Sequence, residues 1–147
     1  MLGDSVTLRT DHLARCIGTL EASYTMLCST VPDTVEYEVY RNAVVKGFEL
    51  TLETSVKLLR KALRAYAMPR DVDSWTFKDT LRHASKHGLL TVDSVERWFR
   101  YRDNRNNTAH DYGVGFAEGT LALLPGFIID AGSLEAGLRE RFYNAGD

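Results

Sequence analysis

Proline is nearly missing from this chain: Pro32, Pro69 and Pro125 are the only three among 147 residues. So few breakers favour helices. Cysteine is scarcer still. Cys16 and Cys28 fall in one apparent helix, twelve positions apart. Their backbones would then stand about 18 Å apart, which excludes a disulfide between them while the helix is intact. Two reduced thiols are expected, which points to the cytoplasm. No run of about 18 apolar residues occurs, so no membrane-spanning helix and no membrane association are expected. Residues 1–10 contain no apolar signal core. No period-two stretch demands a sheet, and there is no internal repeat or low-complexity tract.

Charge of one sign is also lacking. The net charge is −2, which gives no global attraction to nucleic acid. Any RNA binding must come from a local patch. Lysine is under-used, with 5 against 13 arginines, a bias toward clamping phosphate or carboxylate. Hydrophobic residues make up 44% and charged residues 26%, the composition of an ordinary globular protein. The length suits one domain, residues 1–147, with a single core.

Helical spacing accounts for most of the chain. Leu13, Ile17, Leu20, Tyr24 and Leu27 mark a first helix, from about Thr7 to Thr30. Asp33 is a candidate N-cap, with Glu36 in the capping-box position. A long second helix follows, from about Thr34 to Tyr66, with the stripe Tyr37, Tyr40, Val44, Phe48, Thr51, Ser55, Leu59 and Leu63. Met68 to Asp73 reads as a linker. Ser74 is placed to cap a third helix, Trp75 to His87, which Gly88 ends. A fourth helix begins at Thr91 or Asp93 and closes at Gly113. Beyond Phe116 the pattern is helical, broken or kinked at Pro125-Gly126, with a restart at Ser133. The expected architecture is all-α: an up-and-down bundle of four or five helices.

The end of the fourth helix carries the chemistry. Residues 105–113 read R-N-N-T-A-H-D-Y-G. Arginine grips phosphate with a planar fork of donors, and histidine moves protons near neutral pH. Arg102, Asn106 and His110 share one helix face. Arg105 and His110 are five apart and diverge by about 140° on a straight helix. Either the last turn unwinds, or a second copy completes the site across a two-fold axis. The negative end of the helix dipole favours the charged form of His110. An arginine and a histidine at this spacing occur in many helices as a solvated side chain and a cap, so spacing alone does not carry the function.

Two other sets of side chains have suggestive spacing. His83 and His87 have the i,i+4 spacing of zinc ligands, but no third ligand is evident, and no metal is expected. Glu49 and Glu53 stand near Lys46 and Lys57, and ion pairing along the second helix accounts for them.

Arg105, Asn106, His110 and Tyr112 form R-N-x-x-x-H-x-Y, which resembles the signature of HEPN domains. The likeness is to the small bacterial branch encoded beside minimal nucleotidyltransferases, often described as nucleotidyltransferase substrate-binding proteins. Residues 47–61, G-F-E-L-T-L-E-T-S-V-K-L-L-R-K, resemble that family's long second helix, and residues 77–90 its short helix. Ser55 departs from the family, which commonly has a large aromatic there. The resemblance implies a bundle that dimerises through its motif helices. Many relatives are metal-independent ribonucleases that act as toxins. Arg105 and His110 would then be catalytic, with Asn106 and Arg102 in support and no cofactor. In some relatives the partner minimal nucleotidyltransferase adenylylates the tyrosine that corresponds to Tyr112. Others serve only as binding subunits. The chain has no Gly-rich phosphate loop, so it is not itself the nucleotidyltransferase.

Overall fold

The computed structural model describes the backbone of residues 6–108 and 114–142 and the side chains of residues 6–106 and 117–142. Six helices occur among the described residues, and no strand: α1 (Asp11–Cys28), α2 (Val35–Leu63), α3 (Pro69–Ser74), α4 (Phe77–Lys86), α5 (Val92–Thr108) and α6 (Val114–Phe142). The all-α bundle matches the expectation. Helices α1 and α2 form a hairpin, α6 packs on both and on α5, and α4 lies against α5 and α2.

The extra helix is α3, in the stretch read as a linker. Pro69 opens it, because a fixed φ and a missing N–H suit a first helical turn. Asp71 and Val72 donate to the Met68 carbonyl at 3.0 and 3.1 Å, and Val72 is fully buried.

Two caps fall one or two residues from their expected places, and the third, at Thr91, is where it was expected. Thr34, not Asp33, caps α2 by accepting from the Tyr37 amide at 3.1 Å. Asp33 is a turn residue at φ +63°. Thr76, not Ser74, caps α4. It accepts from the Asp79 amide at 3.1 Å, and its own amide donates to the Asp79 carboxylate at 3.2 Å. Those bonds hold the Asp79 carboxyl below its usual range. Thr91 caps α5. Gly88 ends α4 as expected, at φ +75°, with Leu89 donating to Ala84 at 2.8 Å and Gly88 to Ser85 at 3.1 Å. That pattern needs a left-handed residue, which glycine supplies without strain.

The largest correction concerns α6. It is one helix of 29 residues with Pro125 inside it, not two pieces. Pro125 and Gly126 are exposed, while Leu124 and Phe127 beside them are fully buried. The proline ring therefore sits on the solvent side, and the packing of its neighbours carries the helix through. By length and a mean hydropathy of 1.4, residues 117–142 are apolar enough to cross a bilayer, although no unbroken apolar run exists. Much of that apolarity serves the bundle: Leu124, Phe127, Ala131, Leu134 and Leu138 are core residues.

The apolar stripes read from spacing are largely the ones buried, although Tyr24, Tyr37 and Tyr40 are only half-buried and Leu52 joins the core from outside the stripe. Leu13, Ile17, Leu20 and Leu27 on α1 meet Val44, Phe48, Leu52, Leu59 and Leu63 on α2. Ser55 is fully buried, with its hydroxyl donating to the Thr51 carbonyl at 2.8 Å. Gly47 lets the hairpin close: a Cβ there would meet Leu20 Cδ1 at 3.2 Å. At the centre, Phe127 sits edge-on to Phe48 at 4.7 Å, to Tyr101 at 5.0 Å and to Trp98 at 5.8 Å. Edge-to-face pairs of this kind add about 1 kcal/mol each beyond their buried area.

A charged clamp joins α5 to α6 beside these rings. The Asp130 carboxylate is 8% exposed. It accepts from Arg97 Nε at 2.8 Å and Nη2 at 2.9 Å, a two-pronged geometry that fixes orientation. The Tyr101 hydroxyl donates to it at 2.5 Å. Burial, reinforced by that hydrogen bond, pushes the Tyr101 phenol well above its ordinary value.

At the other end of α4, His83 stacks on Trp75 at 3.7 Å and His87 on Tyr66 at 4.2 Å. Each ring thus has its own aromatic neighbour. Among the described residues no cluster of three metal-ligating side chains forms. Burial, with the nearby charges of Lys86, His83 and Arg141, holds the His87 pKa below the ordinary histidine value.

Two outcomes are expected. Asp130→Asn should lower the free energy of unfolding in urea by about 2 kcal/mol, because it removes the charge from a nearly buried acceptor of three bonds. An unchanged midpoint would show that the clamp is incidental. His87 is harder to protonate folded than unfolded, so its contribution is intact above the ordinary histidine value and is lost as pH falls below it. Between about pH 7 and pH 5 the wild type should lose more stability than His87→Phe, which keeps a stacked ring without the charge. Parallel losses in the two proteins would remove His87 as the cause.

Candidate active site

Helix α5 presents its side chains to three neighbours. Arg97, Tyr101 and Asn104 point to α6. Trp98 enters the core. Arg102 turns toward α4, where its guanidinium carbon lies 4.7 Å from the centre of the Phe77 ring. A turn of about 100° per residue produces this division.

Arg105, the motif arginine, is ion-paired with Glu53 of α2 through its Nη2. The Arg105 side chain is 37% exposed and that of Glu53 45%. This corrects the reading of Glu53 as a partner for lysines on its own helix. Its carboxylate reaches across to α5 and fixes where the motif arginine stands. The signal in the sequence was only a second glutamate at helical spacing, which an ion pair within α2 explained equally well.

Arg102 and Arg105 are not brought together, since one leans on α4 and the other on α2. Asn106 is exposed. His110 and Tyr112 lie outside the described residues. Asn104 adds a contact that no motif announced: its amide donates to the Thr120 hydroxyl at 2.8 Å, and Thr120 is fully buried. A side chain at Gly119 would meet the Asn104 Oδ1 at 3.2 Å. Thus α5 and α6 are tied just before and just after the motif segment.

A groove of about 570 Å³ opens nearby, between the start of α2 and the first described turn of α6. Asp33, Glu38 and Glu118 outnumber Arg41 along it, and Arg41 approaches Glu38 at 3.7 Å. Its charge does not suit a polyanion. The arrangement around Arg105 does suit one: a partly exposed guanidinium, set in place by Glu53, can face a phosphate oxygen.

Comparison with known proteins places the fold in a family. Residues 8–140 match the family described as nucleotidyltransferase substrate binding protein like. A protein of Haemophilus influenzae described as probable ribonuclease HepT is 33% identical over 111 residues, covering 75% of this chain and 74% of that one. A solved structure from Haemophilus influenzae, described as revealing the fold of a substrate binding domain of a nucleotidyltransferase, superposes with a TM-score of 0.79. It is 27% identical and covers 89% of this chain and 99% of its own. The chain belongs to the nucleotidyltransferase substrate binding protein like family, the HEPN-type helical bundles associated with nucleotidyltransferases.

Proposed function

We propose that this protein is a metal-independent ribonuclease and acts as the toxin of a pair with a minimal nucleotidyltransferase in the cytoplasm. The observation that carries the reading is Arg105, near the end of α5, partly exposed and oriented by Glu53, five positions before His110. The name of the Haemophilus relative supports it.

The chemistry needs no group that these residues lack. Two protomers pair through their motif helices and bring two copies of Arg105 and His110 to one cleft. One His110 takes the proton from a ribose 2′-hydroxyl. The 2′-oxygen attacks the adjacent phosphorus, and the second His110 protonates the departing 5′-oxygen. Arg105 stabilises the extra negative charge on the phosphate as it becomes five-coordinate. Glu53 holds Arg105 in place and touches no reacting atom, so it is a positioning residue. Asn106 and Arg102 support the site from its edges. Adenylylation of Tyr112 by the partner nucleotidyltransferase would place a bulky anion two residues from His110 and block the cleft.

A second reading is a non-catalytic subunit that binds a nucleotidyltransferase or its substrate. The description of the family favours it.

Cleavage in EDTA separates the two. The purified protein should cut RNA to a 2′,3′-cyclic phosphate and a 5′-hydroxyl. His110→Ala should lower kcat/KM about 10²–10⁴-fold and Arg105→Ala about 10²–10³-fold, with helicity kept. Glu53→Gln should reduce kcat by about tenfold, less than loss of Arg105 itself, because the guanidinium remains but is less well oriented. The active species should have twice the 16.6 kDa mass of one chain. A wild type inert on varied RNAs that co-purifies with a nucleotidyltransferase would select the binding role.

A further inference from the structure

Among the described residues, five arginines have a carboxylate partner. Arg41, Arg64, Arg97, Arg105 and Arg139 are each ion-paired. The face between α4 and α5 is different. Lys78 and Arg82, one turn apart on α4, both lie over the Phe99 ring of α5, at 5.5 and 5.9 Å from its centre. Arg102 covers Phe77 at 4.7 Å. Among the described residues none of these three cations forms an ion pair. Asp79 is nearby but is held by the Thr76 cap. Glu96 and Asp103 stand about 40–60° further round α5 than Phe99.

Two like charges over one ring repel each other, and such a pair on a helix is destabilising. The rings offset this by attracting the cations, and they hold the long side chains in place. A multivalent anion would relieve the repulsion. A single phosphate or carboxylate would leave the row mostly unneutralised. The row also has a direction. Phe77 opens α4 and meets Arg102 near the motif end of α5, so the two helices run antiparallel. From Arg82 through Lys78 to Arg102 the charges lead toward Asn106 and Arg105.

We propose that the α4–α5 face is a track for single-stranded RNA, whose phosphates bind Lys78, Arg82 and Arg102 and whose chain continues to the cleavage site. The choice of RNA rests on the ribonuclease reading. The track explains how a chain of net charge −2 holds a polyanion, since the positive charge is local and unpaired.

The test uses the full-length protein and a labelled 2′-O-methyl oligouridylate of about 20 nucleotides, long enough to span such a face. Its blocked 2′-oxygens prevent cleavage, so binding is read alone by fluorescence anisotropy. Lys78→Gln/Arg82→Gln should raise Kd about tenfold and lower the slope of log K against log salt by about 1.4, near 0.7 per lost phosphate contact on a single strand. Arg82→Gln alone should give about half that change in slope. Lys46→Gln/Lys57→Gln on α2 changes the net charge equally and should leave binding within about twofold, because only contacts to phosphate count. The track is overturned if the wild type does not hold the probe, if both double variants weaken binding alike, or if neither does. It is equally overturned if Lys78→Gln/Arg82→Gln keeps RNA but loses a nucleotidyltransferase partner. Failure of the ribonuclease reading looks different: a wild type that holds the probe with this salt dependence yet cuts no RNA.

Discussion

Asp130 settles how α5 is rotated, and the placement of the helix's other side chains follows. A carboxylate almost withdrawn from water must be matched by donors, and here Arg97 and Tyr101 supply them from one stripe of α5. Asn104 extends the stripe by binding Thr120. With that side of α5 held against α6, Trp98 must enter the aromatic centre. Arg105 then faces α2, and Arg102 and Phe99 face α4. A one-residue slip would turn each of these by about 100°. It would strand Asp130 as well, at a cost comparable to breaking a buried ion pair. Rotational certainty at the motif helix is thus obtained from a polar contact, where apolar packing alone would tolerate neighbouring registers.

Pairing also divides the charges into two populations. Carboxylates from other helices hold Arg97 and Arg105, and those pairs define geometry. Lys78, Arg82 and Arg102 rest on rings and stay available. Overall composition hides this division, because net charge averages cations that are structurally committed with cations that are not. A weakly acidic protein can therefore present a positive face without any excess of basic residues.

Much of the fold was legible in the sequence because α1 and α2 bury one regular stripe each, and a 3.6-residue period identifies it. Gly88 was legible for the same kind of local reason. The misses share a cause. Pro69 and Pro125 were read as breakers, but the effect of proline depends on where its ring points. Pro69 opens a helix and Pro125 lies on the solvent side of one, and neither fact is encoded in adjacent residues. The caps shifted because Asp33 and Ser74 are as good cap formers as Thr34 and Thr76, so the backbone decided between them. At the site, Arg105 and Asn106 stood out by motif. Glu53 did not, since its partner is 52 residues away and Lys57 offered a nearer one.

Gly47 gives this architecture an unexpected sensitivity. Leu20 is fully buried, so a methyl group at 47 would press on a side chain with little room to yield. The hairpin would have to open by a few tenths of an ångström. Glu53 rides on the same rigid helix, about 9 Å further along. A substitution far from any charged group would thereby move the carboxylate that aims a guanidinium, making interhelical clearance a hidden tuning screw for the electrostatics at the opposite side of the bundle.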